Sequence, residues 1–143
     1  MIILDTNVIS EAFKPAPNPV VMKWFDAQEP ETLFITTISL AEMLAGIYKM
    51  PEGRRHTELG NLVENRTITE FHNRILHFEL QAVEAFGPVS ARAFAVGNPI
   101  AFADCAIAAI ASARGYILAT RNVRDFKGTG IEIFNPWPSE SSI

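Results

Sequence analysis

The residues of this chain best suited to chemistry are acidic, and they fall where apolar runs give way to helices. Asp5 ends the run Ile2-Ile3-Leu4 and is followed by Thr6 and Asn7. A short apolar run of this kind suits a strand buried on both faces. A carboxylate at its carboxyl end opens into the crevice where open α/β sheets bind ligands. Glu42 lies three residues after Ser39, in the first turn of a helix by the sequence pattern. Asp104 sits among Ala101, Phe102, Ala103, Cys105, Ala106 and Ile107, where an unpaired carboxylate is expensive to bury. Asn122 and Asp125 come just after Thr120, which follows the apolar run 116–119. Oxygen donors gathered at one point repel each other unless a cation sits between them, and hard donors of this type suit Mg²⁺ or Mn²⁺.

Each of these residues also has a structural explanation. Asp5 can cap the helix that starts near Asn7. Ser39-Leu-Ala-Glu42 is a capping-box pattern, in which Glu42 reaches back to the Ser39 amide. Asp104 can complement a helix dipole. Cys105 reads as a small core residue, because no neighbouring base lowers its pKa. His56, His72 and His77 lack metal-ligand spacing, and no G-x-G-x-x-G, Walker A or G-x-S-x-G pattern occurs.

The elements that must position the acidic residues alternate between strand and helix. The pattern predicts strands at Ile2–Leu4, Leu33–Thr36, 75–78, 116–119 and 131–134. It predicts helices at 8–13, at 18–27 with Asn18 as N-cap and Pro19 in the first position, at 39–48, 54–66, 79–96 and 101–114. Val20, Val21, Trp24 and Phe25 give the 18–27 helix an apolar face, and Leu40, Met43, Leu44 and Ile47 give one to the next. Gly87-Pro88 should kink or split the 79–96 helix. Gly115 is a good left-handed terminator of the Ala-rich helix. Strands separated by helices imply a parallel sheet covered on both faces. In such a sheet strand ends and the following helix starts share one edge, so Asp5, Glu42, the Asn122 region and Asp104 should converge there.

Composition limits the classes available. A chain of 143 residues, 48% apolar and 20% charged, is ordinary for one globular domain, and one domain over residues 1–143 is expected. One cysteine precludes an internal disulfide and fits a reducing compartment. No basic segment precedes an apolar one at the start, and the longest apolar stretch, 100–113, is too short to span a bilayer. The expected location is the cytoplasm. A formal net charge of −4 is unusual for a nucleic-acid binder. The basic residues are uneven, however. Lys49, Arg54, Arg55 and Arg66 follow Glu42, and Arg121, Arg124 and Lys127 follow Thr120.

Four motifs occur in order: Ile3-Leu-Asp-Thr-Asn-Val-Ile-Ser-Glu11, Ile38-Ser-Leu-Ala-Glu-Met-Leu-Ala-Gly46, Pro99-Ile-Ala-Phe-Ala-Asp-Cys-Ala-Ile-Ala-Ala109 and Leu118-Ala-Thr-Arg-Asn-Val-Arg-Asp-Phe126. Asn135-Pro-Trp137 closes the series. Together they resemble the PIN-domain ribonucleases of VapC-type toxin–antitoxin modules, especially the FitB-like branch. The resemblance implies a three-layer PIN-like α/β fold with a mainly parallel sheet of about five strands. It implies a metal-dependent endoribonuclease that hydrolyses RNA phosphodiesters with a metal-activated water, leaving 5′-phosphate and 3′-hydroxyl ends. Asp5, Glu42 and Asp104 match the acidic positions that would hold Mg²⁺ or Mn²⁺, with Thr6, Asn7, Thr120 and Asn122 positioning carboxylates, water or substrate. Many relatives carry Asp where this chain has Asn122. The resemblance further implies a homodimer and a cognate DNA-binding antitoxin, in an assembly that can be larger. Two other classes remain open from the residues alone. One is a Rossmann-like Mg²⁺ phosphohydrolase with a nucleophilic Asp5. The other is a catalytically silent binding member.

Overall fold

The computed structural model describes residues 1–139, so the last four residues of the expected 1–143 domain lie outside it. Its centre is a five-stranded sheet in the order β3-β2-β1-β4-β5. The strands are β1 (Ile2–Leu4), β2 (Leu33–Thr36), β3 (Ile75–Leu76), β4 (Ile117–Ala119) and β5 (Ile133–Phe134). Every pairing is parallel. Strand carboxyl ends therefore share one edge, as the alternation of elements predicts.

Side chains along each strand alternate between two cores. Ile3 and Leu118 face a core built with α6 (Leu80–Ala95) and α7 (Phe102–Arg114). Leu4, Ile35 and Ala119 face the opposite core, built with α1 (Thr6–Glu11), α2 (Pro19–Asp26), α3 (Thr37–Tyr48) and the helical stretch after it. That stretch is α4 (Arg54–Asn61), a π-helical segment Leu62–Thr67 and a last turn α5 (Ile68–Glu70). Chain order runs outward from β1 to β2 and β3, then returns to β4 on the other side of β1. The order reverses between β1 and β4, and the carboxyl edge of such a reversal is where open α/β sheets bind ligands.

Several expectations are corrected. The first helix starts at Thr6, two residues before the predicted start, because Asp5 caps it with both its side chain and its carbonyl. Gly87-Pro88 does not split α6, which runs unbroken and buries Ala82, Val89 and Ala93. Packing along α7 outweighs the hydrogen bond that Pro88 cannot donate. Val20 is exposed, so the buried face of α2 narrows to Val21 with Trp24 and Phe25 half-buried. Gly115 does end α7, with φ 68°.

Candidate active site

Asp5 leaves β1 and caps α1, and it is almost fully buried. Its Oδ1 accepts the Thr6 amide at 2.8 Å. Its Oδ2 accepts the Thr120 hydroxyl, also at 2.8 Å. Thr120 follows β4 directly, so this bond ties the two strand ends at the reversal point. Thr120 is fully buried. Its oxygen also accepts the Asn122 amide at 3.0 Å and Asn7 Nδ2 at 3.4 Å. The hydroxyl's one proton goes to Asp5, and both lone pairs are used. Asn7 Oδ1 in turn accepts the Arg121 amide at 3.1 Å. Thr6, Asn7 and Thr120 thus form one network around Asp5.

Glu42 enters from α3. Its carboxylate Oε1 accepts the Thr6 hydroxyl at 3.0 Å. Thr6 Oγ1 also lies 3.0 Å from the buried Ser39 hydroxyl. With its proton committed to a carboxylate, Thr6 accepts from Ser39. The capping-box reading of Ser39 and Glu42 is overturned. Thr36 is the N-cap of α3 and accepts the Ser39 amide at 3.1 Å. The helix starts two residues earlier than the pattern predicts, so Glu42 lies in the second turn and is free to face the site.

Asp104 lies in the first turn of α7, as predicted, and is half-buried. Among the described hydrogen bonds and ion pairs it has no partner. Burial first, then the charges of Asp5, Glu42 and Asp125, push its carboxyl from an ordinary 3.8 up to about 6. The Asp5 carboxyl is also raised. Burial dominates there, opposed by the bonds from Thr120 and Thr6, and Glu42 and Asp125 push it further. The structure therefore brings Asp5, Glu42 and Asp104 into one electrostatic neighbourhood and adds Asp125. Asn122 is exposed, and its contact with the network is its backbone amide. Asp125 is the group in that turn whose charge reaches both acids. Ser39 and Thr36 are the network members that sequence reasoning left out of the site; Asp125, named there beside Asn122, acts on Asp5 and Asp104 through its charge.

The charges that raise Asp104 are those of Asp5, Glu42 and Asp125, and the donors are hard oxygens, so charge and chemistry fit a divalent ion. Spacing is looser than charge: among the described residues no three His, Cys, Asp or Glu side chains close to metal-ligand distances.

The loop carrying Asp125 is pinned from below. Asn98 Nδ2 donates to the carbonyls of Arg124 and Lys127, each at 2.9 Å. Phe126 fills the core. At Gly128 (φ 88°) a Cβ would stand 2.3 Å from Val96 Cγ2, so the loop lies against the end of α6 as only glycine allows.

Residues 2–131 match the family described as PIN domain. The chain belongs to the PIN-domain family. This PIN domain is 43% identical to the plasmid stability protein StbB of Pseudomonas syringae pv. tomato, over 96% of this chain and 99% of that one. It is 42% identical to the VapC ribonuclease Y4jK of Sinorhizobium fredii, over 96% and 98%. It is 34% identical to the toxin FitB of Neisseria gonorrhoeae, over 96% and 99%. It superposes on the crystal structure of FitAcB from that organism with a TM-score of 0.90, covering 96% of this chain and 99% of that one.

The predicted basic cluster after Glu42 is largely committed elsewhere in this PIN domain. Arg54 pairs with Glu58, Arg66 pairs with Glu70, and Arg55 donates to the Phe13 carbonyl. Arg121, Arg124 and Lys127 make no ion pair among the described residues. A groove of about 370 Å³ runs from Ile9 and Phe13 past Met22 and Phe25 to Leu62, Arg66 and Phe71. The apolar face of α3 is core: Met43 and Ile47 are buried and Leu44 packs against them. No helix among the described residues is long and apolar enough to cross a membrane.

Proposed function

We propose that this chain is a metal-dependent endoribonuclease, the toxin of a toxin–antitoxin pair, with Asp5, Glu42 and Asp104 as its metal-binding and catalytic carboxylates. The observation that carries the reading is Asp104: half-buried, without a hydrogen-bond partner among the described residues, and pushed up by the charges of Asp5, Glu42 and Asp125. A fold keeps such a group at a cost, and the cost is relieved when a cation is held there. Similarity to a VapC ribonuclease and to the toxin FitB supplies the reaction class.

Mg²⁺ or Mn²⁺ bound there would lower the pKa of a water and neutralise charge on the phosphoryl oxygens. The residues around it have separable tasks. Thr120 and the Thr6 amide fix the Asp5 carboxylate, leaving little rotational freedom. The Thr6 hydroxyl, backed by Ser39, holds Glu42. Asn7 ties the β1 and β4 ends so that this geometry survives substrate binding. Asp125 supplies the additional charge in the turn where Asn122 has none.

A nucleophilic Asp5 fits poorly, because both its oxygens are hydrogen-bonded and the residue is 4% exposed. An antitoxin segment lying in the Phe13–Phe71 groove, a homodimer and a cytoplasmic location complete the proposal. Mapping of RNA ends after expression tests it, with cuts bearing 5′-phosphates expected from wild type. Asp5→Asn and Asp104→Asn should fold and give none. Near wild-type cutting by either purified variant with Mg²⁺ would remove that residue from the site.

A further inference from the structure

Of the three cations that follow Thr120 without an ion pair among the described residues, Arg121 stands next to the network. Arg121 is the residue after Thr120, and its amide is fixed by Asn7 Oδ1 at 3.1 Å. Its backbone is therefore tied to the same residue that contacts Asp5 and Thr120. The side chain is exposed and makes no ion pair among the described residues; its charge reaches the buried Glu11 carboxyl, but it is Lys14 that pairs with Glu11, at 2.6 Å. Its guanidinium instead lies over the Trp137 ring, 5.1 Å from the centroid. Trp137 is itself fixed: its amide donates to Asn135 Oδ1 at 3.0 Å and its ring packs on the α1–α3 core. An arginine stacked on an anchored indole keeps its planar fork in a restricted orientation, and among the described residues its N–H groups make no hydrogen bond.

We propose that Arg121, held by Trp137, is a substrate-positioning residue that takes a non-bridging phosphate oxygen of the RNA strand, at a phosphate flanking the scissile one. The inference rests on the ribonuclease reading above. Two observations favour a phosphate. The edge is otherwise acidic, so a polyanion needs a cation close to the reaction point. Arg54, Arg66 and Arg55 are engaged with Glu58, Glu70 and the Phe13 carbonyl, whereas Arg121 makes no ion pair among the described residues and stacks on Trp137. A role limited to docking the chain end is the competing account, and it makes different demands. It requires the cation–π contact for stability and is indifferent to substrate and salt.

The test uses the full-length protein and a fluorescent single-stranded RNA oligonucleotide that wild type cuts. Arg121→Ala should raise KM by roughly tenfold, the size of a lost charge-assisted contact, with a smaller change in kcat. Binding to the uncleaved oligonucleotide should lose about one unit from the slope of log affinity against log salt. Arg121→Lys should restore that slope, because charge suffices for it, while recovering only part of KM. Trp137→Leu keeps the charge but frees the side chain, and should raise KM with the salt slope unchanged. Unchanged KM and slope in Arg121→Ala, with wild-type cutting intact, overturns the inference, as does a variant that only melts earlier. Wild type that neither binds nor cuts any RNA overturns the ribonuclease reading, and this inference with it.

Discussion

Asp104 links the stability of the molecule to its site. Its carboxyl rises from an ordinary 3.8 to about 6 on folding. Between those values the native state holds more protons than the unfolded chain, so stability falls as pH climbs through the window and stays lowered above it. The raised Asp5 carboxyl acts with the same sign. Removing the charge should help the fold where the charge is present. Asp104→Asn is therefore expected to melt higher than wild type at pH 7.5 in EDTA, with the gain shrinking towards pH 4. Mg²⁺ or Mn²⁺ should reverse the order, raising the wild-type midpoint by mass action and moving the variant far less. Equal shifts in both proteins would place the ion elsewhere. Thr120 carries a second test at this scale. Thr120→Val keeps the volume but removes the 2.8 Å donor to buried Asp5 Oδ2, leaving it Asn7 Nδ2 at 3.5 Å, and strands the Asn122 amide. The loss should be about 1–3 kcal/mol in urea unfolding, and the acid limb of the pH–rate profile should move up. Thr120→Ser restores the hydroxyl and should recover most of both, which a pure packing defect would not allow.

At the scale of elements, the start of α3 decides whether Glu42 is structural or available. Thr36, the last residue of β2, caps the helix from a fully buried position. Thr36→Ala should cost about 1 kcal/mol or somewhat more, as loss of an N-cap does. It should also reduce cleavage, because Ser39 and Glu42 ride on that first turn. Ser39→Ala should spare the cap and loosen only the Thr6 hydroxyl. If Ser39→Ala destabilised more than Thr36→Ala, the capping assignment would be wrong. This start is also where sequence reading reached its limit. Ser39-x-x-Glu42 matches a capping box, and Thr36 at a strand end gives no signal until the β2–α3 junction is seen. The strands were legible because Ile2–Leu4 and Leu33–Thr36 are apolar runs bounded by polar residues. The acidic edge followed from parallel topology alone. Gly87-Pro88 misled because the pattern of α6 does not display its packing against α7. The Thr6–Glu42 bond joins residues far apart in the chain, so no local pattern encodes it. Asp125 stands beside Asn122 in the sequence, and proximity along the chain does not reveal which of the two a 3₁₀ turn (Val123–Phe126) brings towards the acids.

The whole molecule leaves large apolar side chains in solvent near the acidic edge. Phe94, Val96 and Phe102 are 74%, 62% and 69% exposed, at the end of α6, just beyond it and at the start of α7. Phe102 is two residues from Asp104 and rests on Phe86 with ring centroids 5.2 Å apart. Where exposed apolar groups form one patch they mark an interface more often than isolated ones do. The proposed homodimer would cover them, and any partner over Phe102 would abut the carboxylate edge. Covering apolar surface rather than pairing charge also suits subunits that each carry a net charge of −4, since added salt then weakens their mutual repulsion. Light scattering after size exclusion should give a dimer at micromolar concentration, persisting or strengthening at 0.5 M salt. Phe94→Ser and Phe102→Ser together should shift it to monomer without lowering helix content by circular dichroism. A wild-type monomer would remove the dimer from the proposal, while a dimer undisturbed by both substitutions would move the interface off this face.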